Sequence, residues 1–297
     1  MFEILKSYDF LVVASGVTIL AIASAMVGCF SVYKGQSLVG DAIGHAAYPG
    51  VVIAFMCFQT RNPLVLTFGA AILGIVAYLT IQSIVNNSKI KLDASLAIVL
   101  TGFFGLGVVL KTYTQGNPVY ANASQAGLKN YIFGLAAFIM KDDVGVILGF
   151  SLFAILIMFL FYKELVVSIF DRDYGHSIGI NSKAVDLVLL VMMISLIALG
   201  LKSVGAILIS SFLIIPCICA NQHSKKLKNV LIIAATVGGF SSFIGTFISS
   251  AIKGFSTGPT IILTMGSITL LSMVFGQYGL IKHYYMKKRY QSCKKFC

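Results

Sequence analysis

An aspartate and a histidine stand four residues apart, Asp41 and His45, inside the run Ser37-Leu38-Val39-Gly40-Asp41-Ala42-Ile43-Gly44-His45-Ala46-Ala47-Tyr48-Pro49-Gly50-Val51. On a helix, positions i and i+4 share a face one turn apart, so both side chains project the same way. A carboxylate oxygen and an imidazole nitrogen so placed form part of a site for a divalent transition metal. The same spacing also answers to an acid and a base that only bond each other, or that cap a helix beginning near Ser37. The neighbours are small and apolar, and ionisable groups within membrane spans are costly and face a pathway or a partner, which favours function.

The elements that position this pair are membrane helices. Of 297 residues, 58% are hydrophobic and only 11% charged, the composition of an all-α polytopic membrane protein. A formal net charge of +12 would suit nucleic acid, but the basic residues lie in short gaps between apolar runs and in the tail, where they set orientation. No nucleic-acid partner is expected. The six cysteines, Cys29, Cys57, Cys217, Cys219, Cys293 and Cys297, lack the paired spacing of a zinc module and the density of a disulfide scaffold. Ala23-Ser24-Ala25 imitates a signal-peptidase site, yet the apolar run continues past it, so the first span is expected to be retained.

Nine apolar runs suit the ~20 residues that a spanning helix needs. They lie near Phe10 to Val32, Leu38 to Phe58, Pro63 to Val85, Ala94 to Tyr113, Val144 to Tyr162, Ala184 to Leu201, Val204 to Ala220, Val230 to Ile252 and Gly258 to Leu280. The sixth and seventh are short or broken by Gly and Pro, so eight to nine crossings are expected. Of the 22 basic residues, 15 fall in one set of alternate connections, including Lys34, Lys163, Arg172, Lys226 and the tail, and seven in the other. The richer set belongs in the cytoplasm, with the N-terminus outside and the C-terminus inside.

Two connections exceed a simple turn. The outer one, from Thr114 to Asp143, carries the turn-forming Gln115-Gly116-Asn117-Pro118, could face an external partner, and spells a weak sequon at Asn122-Ala123-Ser124. In the inner one, residues 163–183, Asp171 or Asp173 can cap a short helix, Tyr174 and Ile178 fall one turn apart, and Gly179 can end it. That is the form of a docking element, or of a helix lying on lipid. His176 there has no special role in this reading. Gly40 with Pro49 and Gly205 with Pro216 share a layout that hints at internal duplication and marks close packing or a kink. No Gly-Lys dipeptide occurs, which excludes a P-loop, and no His-Glu-x-x-His pair is present. The chain is therefore not expected to be an enzyme.

These residues resemble the permease subunits of bacterial ABC importers for zinc, manganese or iron. The resemblance covers most of the chain. It rests on Gly40-Asp41-Ala42-Ile43-Gly44-His45-Ala46 with Pro49-Gly50, then Tyr131-Ile132-Phe133-Gly134, Asp171 to Gly179, Val204-Gly205 with Pro216, and Thr257-Gly258-Pro259. It implies a vitamin-B12-importer-like fold forming a single transmembrane permease domain over 1–297, with a cytoplasmic coupling segment at 163–183 and a basic tail at 281–297. It further implies a metal path through Asp41 and His45 and a coupling helix from Asp171 to Gly179, including Tyr174 and Ile178. The implied partners are a second copy of the chain, two cytoplasmic ABC ATPases, a metal-binding lipoprotein outside, and the lipids of a bacterial plasma membrane. The metal is cargo, no resident cofactor is implied, and ATP acts only through the partner. The chain departs from the family pattern where Gly44 replaces a usual serine, at Pro216-Cys217-Ile218-Cys219-Ala220, and where the Lys253-Gly254-Phe255-Ser256 stretch replaces an acidic residue common shortly before the Thr-Gly-Pro turn. The alternative, an ion- or proton-coupled secondary transporter relaying through Asp41 and His45, lacks a second carboxylate deep in a span, since Asp93 and Asp186 fall near span ends.

Overall fold

The computed structural model describes residues 7–60, 62–120, 134, 136, 139, 141–252 and 254–282. The Tyr131-Ile132-Phe133 landmark, the sequon at Asn122-Ala123-Ser124, Lys253 and the tail from 283 onward lie outside the described residues. Among the described residues the secondary structure is helical throughout, without a strand. The helices are α1 (Tyr8–Tyr33), α2 (Val39–Phe58), α3 (Pro63–Asn87), α4 (Leu92–Gly116), α5 (Lys141–Leu160), α6 (Tyr162–Phe170), α7 (Arg172–Ser177), α8 (Ser182–Ser203), α9 (Ala206–Asn221), α10 (Leu227–Ala251) and α11 (Thr257–Phe275).

Among the described residues eight helices are long and apolar enough to cross a membrane. The sixth expected span is a full one, the 22 residues of α8, whereas the seventh, α9, has only 16. At 1.5 Å per residue α9 is about 24 Å long, short of a hydrocarbon core of about 30 Å. Start and stop signals set the register: Ser7 accepts from Phe10 N at 3.3 Å to cap α1, and Asn62 accepts from Leu64 N at 3.1 Å to cap α3, with Pro63 at its first position.

Contacts between helix ends show how the chain alternates. At one end, Tyr33 of α1 bonds Asn221 of α9, Lys34 pairs with Asp186 of α8, Ser95 of α4 donates to the Ile81 carbonyl of α3, and Ser272 of α11 meets His223. At the other, Lys202 of α8 pairs with Asp143 of α5, and Ser249 of α10 meets Thr257 of α11. The basic-rich connections thus gather at the first end. Helix α1 is central, with Val17, Leu20, Ala21 and Phe30 fully buried among α5, α8, α9 and α10. A second cluster, including Tyr48, Val51, Val52 and Phe55 of α2 with Leu66 and Ala70 of α3, fixes α2 beside α3.

Candidate metal site and docking segment

Helix α2 sits between α3 and α4 because glycines on both flanks admit it. Gly50 and Gly69 cross so closely that a Cβ on Gly69 would lie 2.5 Å from Ala54 Cβ and from the Gly50 carbonyl. On the other flank, a Cβ on Gly107 of α4 would lie 2.6 Å from Tyr48 Cδ1 and 3.1 Å from Pro49 N. Dispersion contact over this area, with no side chain between the backbones, holds α2 where lipid gives no hydrophobic drive for association.

Asp41 lies in the first turn of α2, where the helix dipole favours a carboxylate. The helix begins at Val39 and its N-cap, Leu38, makes no side-chain bond, so Ser37 is not a cap. His45 Nε2 lies 3.6 Å from Asp41 Oδ1, with side chains 19% and 32% exposed respectively. That separation exceeds a normal hydrogen bond. Two bonds to one metal ion, each about 2.1 Å, span up to about 4.2 Å, so a single ion fits both atoms. Phe104 of α4 meets the imidazole edge-on at 5.2 Å and 88°, which limits rotation of the ring.

Pro49 offers no N–H to the His45 carbonyl four residues back, although α2 continues through it unbroken. One turn on from His45, the Tyr48 hydroxyl is buried without a hydrogen-bond partner among the described residues. Among the described residues no three His, Cys, Asp or Glu side chains come together, so one chain supplies two of the four to six donors a divalent metal takes. The two alternatives to metal ligation are partly represented, since the acid and base do face each other and Asp41 does sit at a helix start.

The residues expected to mark close packing or a kink lie in α2 and at or within α9. A Cβ on Gly40 would lie 2.7 Å from Leu213 Cδ1, which brings α2 against α9. Gly205 takes φ +85° at the start of α9, a conformation that favours glycine, and Pro216 lies buried within the unbroken α9. Gly44, where the family pattern has serine, leaves its nearest neighbours 3.8 and 4.0 Å from a Cβ.

The inner connection forms two short helices rather than one. Helix α6 continues from α5 past Phe161 and is anchored by fully buried Leu165, while Phe170 packs on Tyr33 at 5.6 Å. Asp171 Oδ1 then accepts from Tyr174 N at 3.0 Å and caps α7, and Gly179 ends the segment at φ +85°. Tyr174 and Ile178 are 55% and 52% exposed, an apolar tip beyond the spans.

Sequence spacing gave no signal for Phe104, which reaches His45 from another helix, or for the Lys34, Asp186 and Arg172 cluster, whose members are far apart in the chain. A cavity of about 540 Å³ between α3, α5 and α8, lined by residues such as Phe68, Phe150 and Ile194, contains neither Asp41 nor His45. The run Gly254-Phe255-Ser256-Thr257-Gly258 spells a hydrolase nucleophile pattern, but it joins two helices, whereas the elbow requires a strand before the serine.

The ABC 3 transport family matches residues 7–276. The zinc transport system membrane protein TroC of Treponema pallidum is 34% identical over 290 residues, covering 97% of this chain and 96% of that protein. The manganese transport system membrane protein MntC of Listeria monocytogenes is 32% identical over 290 residues, covering 97% of each. Among solved structures, PsaBC from Streptococcus pneumoniae in complex with Fab superposes with a TM-score of 0.81 at 27% identity, covering 94% of this chain and 96% of that one. With an all-helical architecture, a paired acid and imidazole on α2, and matches along nearly its whole length, this chain belongs to the ABC 3 transport family.

Proposed function

We propose that the chain is the membrane permease of an ATP-driven importer of divalent transition metal ions, with manganese, zinc or iron as cargo. The observation that carries this reading is the Asp41–His45 pair, 3.6 Å apart on a helix held by close backbone packing, in a chain whose relatives are named for zinc and manganese transport. A second copy related by two-fold symmetry supplies another carboxylate and imidazole, completing an oxygen and nitrogen set that suits Mn(II), Zn(II) or Fe(II). The partially exposed pair binds the ion as it sheds water, and separation of the two halves releases it.

The segment 163–183 docks a cytoplasmic ABC ATPase, one per copy, through the exposed Tyr174 and Ile178. The basic-rich end of the bundle faces the cytoplasm, with the N-terminus outside, in accord with the charge asymmetry. A metal-binding lipoprotein delivers the ion to the opposite end, near the connection from 114 to 143. Radiolabelled manganese and zinc uptake by vesicles carrying Asp41→Ala or His45→Ala, normalised to correctly inserted protein, tests the site. Uptake is expected to fall to background while the folded assembly persists, and parental uptake in both variants would remove this pair from the metal path.

A further inference from the structure

Asp186, one turn into α8, divides its carboxylate between two parts of the chain. Its Oδ1 lies 2.7 Å from Lys34 Nζ, immediately after α1, and its Oδ2 lies 3.3 Å from the Arg172 guanidinium on α7. Tyr78 of α3 is within electrostatic reach of both Asp186 and Arg172. Lys34 and Asp186 are 15% and 23% exposed, whereas Arg172 is 58% exposed. The Lys34 arm is therefore the stronger, and the Arg172 arm, which water screens, is easily made and broken.

The two arms lead to different functional parts. Arg172 opens the short helix α7, whose tip bears Tyr174 and Ile178. Lys34 leads into α2 through a closed turn: Gly35 takes φ +74°, Ser31 Oγ donates to the Gln36 carbonyl at 2.8 Å, and Val39 N donates to the same carbonyl at 3.1 Å. Those bonds join the turn to the end of α1 and to the start of α2 alike, and Asp41 stands two residues beyond Val39. Two further contacts, Tyr33 on Phe170 and Tyr33 to Asn221, hold the same end of α1 without charge. The fold at this end thus does not depend on Asp186, while the ionic route from α7 to α2 does.

We propose that Asp186 is a positioning residue of the transport cycle, whose carboxylate carries displacement of α7 to the turn before α2 and so to Asp41 and His45. Aspartate suits the role because its two oxygens hold one cation each, so neither arm must release before the other forms. Asparagine keeps the shape but loses the charge and one acceptor. The proposal rests on the reading that 163–183 docks the ATPase and that Asp41 and His45 hold the metal.

The test reconstitutes the full importer with Asp186→Asn, Asp186→Glu or Lys34→Gln and measures manganese uptake and ATP hydrolysis in the same vesicles. The expected result is an assembled Asp186→Asn complex that still hydrolyses ATP, with uptake per ATP reduced about tenfold, the scale of an ordinary coupling between sites. Asp186→Glu should recover much of the ratio, and Lys34→Gln should lower it as Asp186→Asn does. A purely structural role would reduce uptake and hydrolysis in proportion and would lower the thermal midpoint with them; that outcome overturns the proposal, as does an unchanged ratio. If Asp186→Asn does not assemble, Lys34→Gln is judged by the same ratio, and failure of both to assemble makes the cluster structural and the proposal wrong. In the parent, a cysteine replacing Tyr174 should cross-link to the ATPase. Absence of that cross-link sinks the docking reading and this proposal with it, whereas a cross-link with an unchanged ratio in Asp186→Asn sinks this proposal alone.

Discussion

The Tyr33 phenol donates a 2.5 Å hydrogen bond to Asn221 Oδ1, fastening the last residue of α1 to the last residue of α9 across 188 positions of sequence. Asn221 in turn donates to Cys217 Sγ at 3.8 Å, one turn back along α9. Tyr33→Phe removes the only hydroxyl in this chain of contacts and keeps the ring on Phe170. The expected loss is about 1 kcal/mol, since a part-buried amide oxygen loses its donor. Thermal unfolding in detergent measures it, and a double-mutant cycle with Asn221→Leu should give a coupling energy of comparable size.

Glycines on α2 differ in what they tolerate. Gly44 has ordinary contact distances around a built Cβ, so Gly44→Ala or Gly44→Ser should fold as the parent does, with alanine stabilising the helix by about 0.5–1 kcal/mol. Gly50→Leu should fail to assemble, because its side chain would enter the Gly69 backbone. Size-exclusion profiles after solubilisation, read with thermal midpoints, separate the two; a monodisperse, parent-like Gly50→Leu would contradict the crossing.

The orientation reading expects a single cysteine replacing Lys226 to react with an impermeant maleimide only after the cells are opened. Lys226 precedes α10 at the end where the basic residues gather. Labelling in intact cells would invert the whole topology.

Tyr174→Glu and Ile178→Glu place charge on the exposed tip of the docking segment without touching Asp171 or its cap on α7. Membrane insertion and yield should match the parent, and ATPase co-purification should fall by about tenfold or more, as happens when charge enters the desolvated centre of an interface. Gly179→Ala is the milder control: φ +85° strains alanine by about 1 kcal/mol, loosening the segment while adding no charge. Retained co-purification in both glutamate variants would leave the segment as a lipid-surface helix.

Much of the architecture was legible because the bilayer demands long apolar runs, and the Asp41–His45 spacing is local to one helix. Asp171 and Gly179 could be read as cap and stop for the same local reason. The connection at 163–183 was harder, since α6 continues the apolar run of α5 and only the backbone at Phe161 separates them. Phe104 beside His45 and the Asp186 cluster were not legible at all. Their contacts arise between helices, and an apolar or charged residue near a span end carries no mark of its partner. Pro216 misleads in the opposite sense: a helix breaker in solution, it sits inside a continuous α9, as prolines in membrane helices are tolerated to do.

The brevity of α9 has a consequence for the opposite end of the bundle. A 16-residue helix that reaches Tyr33 at one end cannot also reach the far headgroups, so the Val204–Gly205 bend is sunk below that surface. Val204 is nonetheless almost fully buried, and Gly134 lies so close above it that a Cβ there would strike the Val204 carbonyl. Gly134 therefore acts as a stopper in a dimple, and a bulky side chain at 134 would lift it from the Val204 carbonyl and let water toward the membrane interior rather than merely crowd a surface loop.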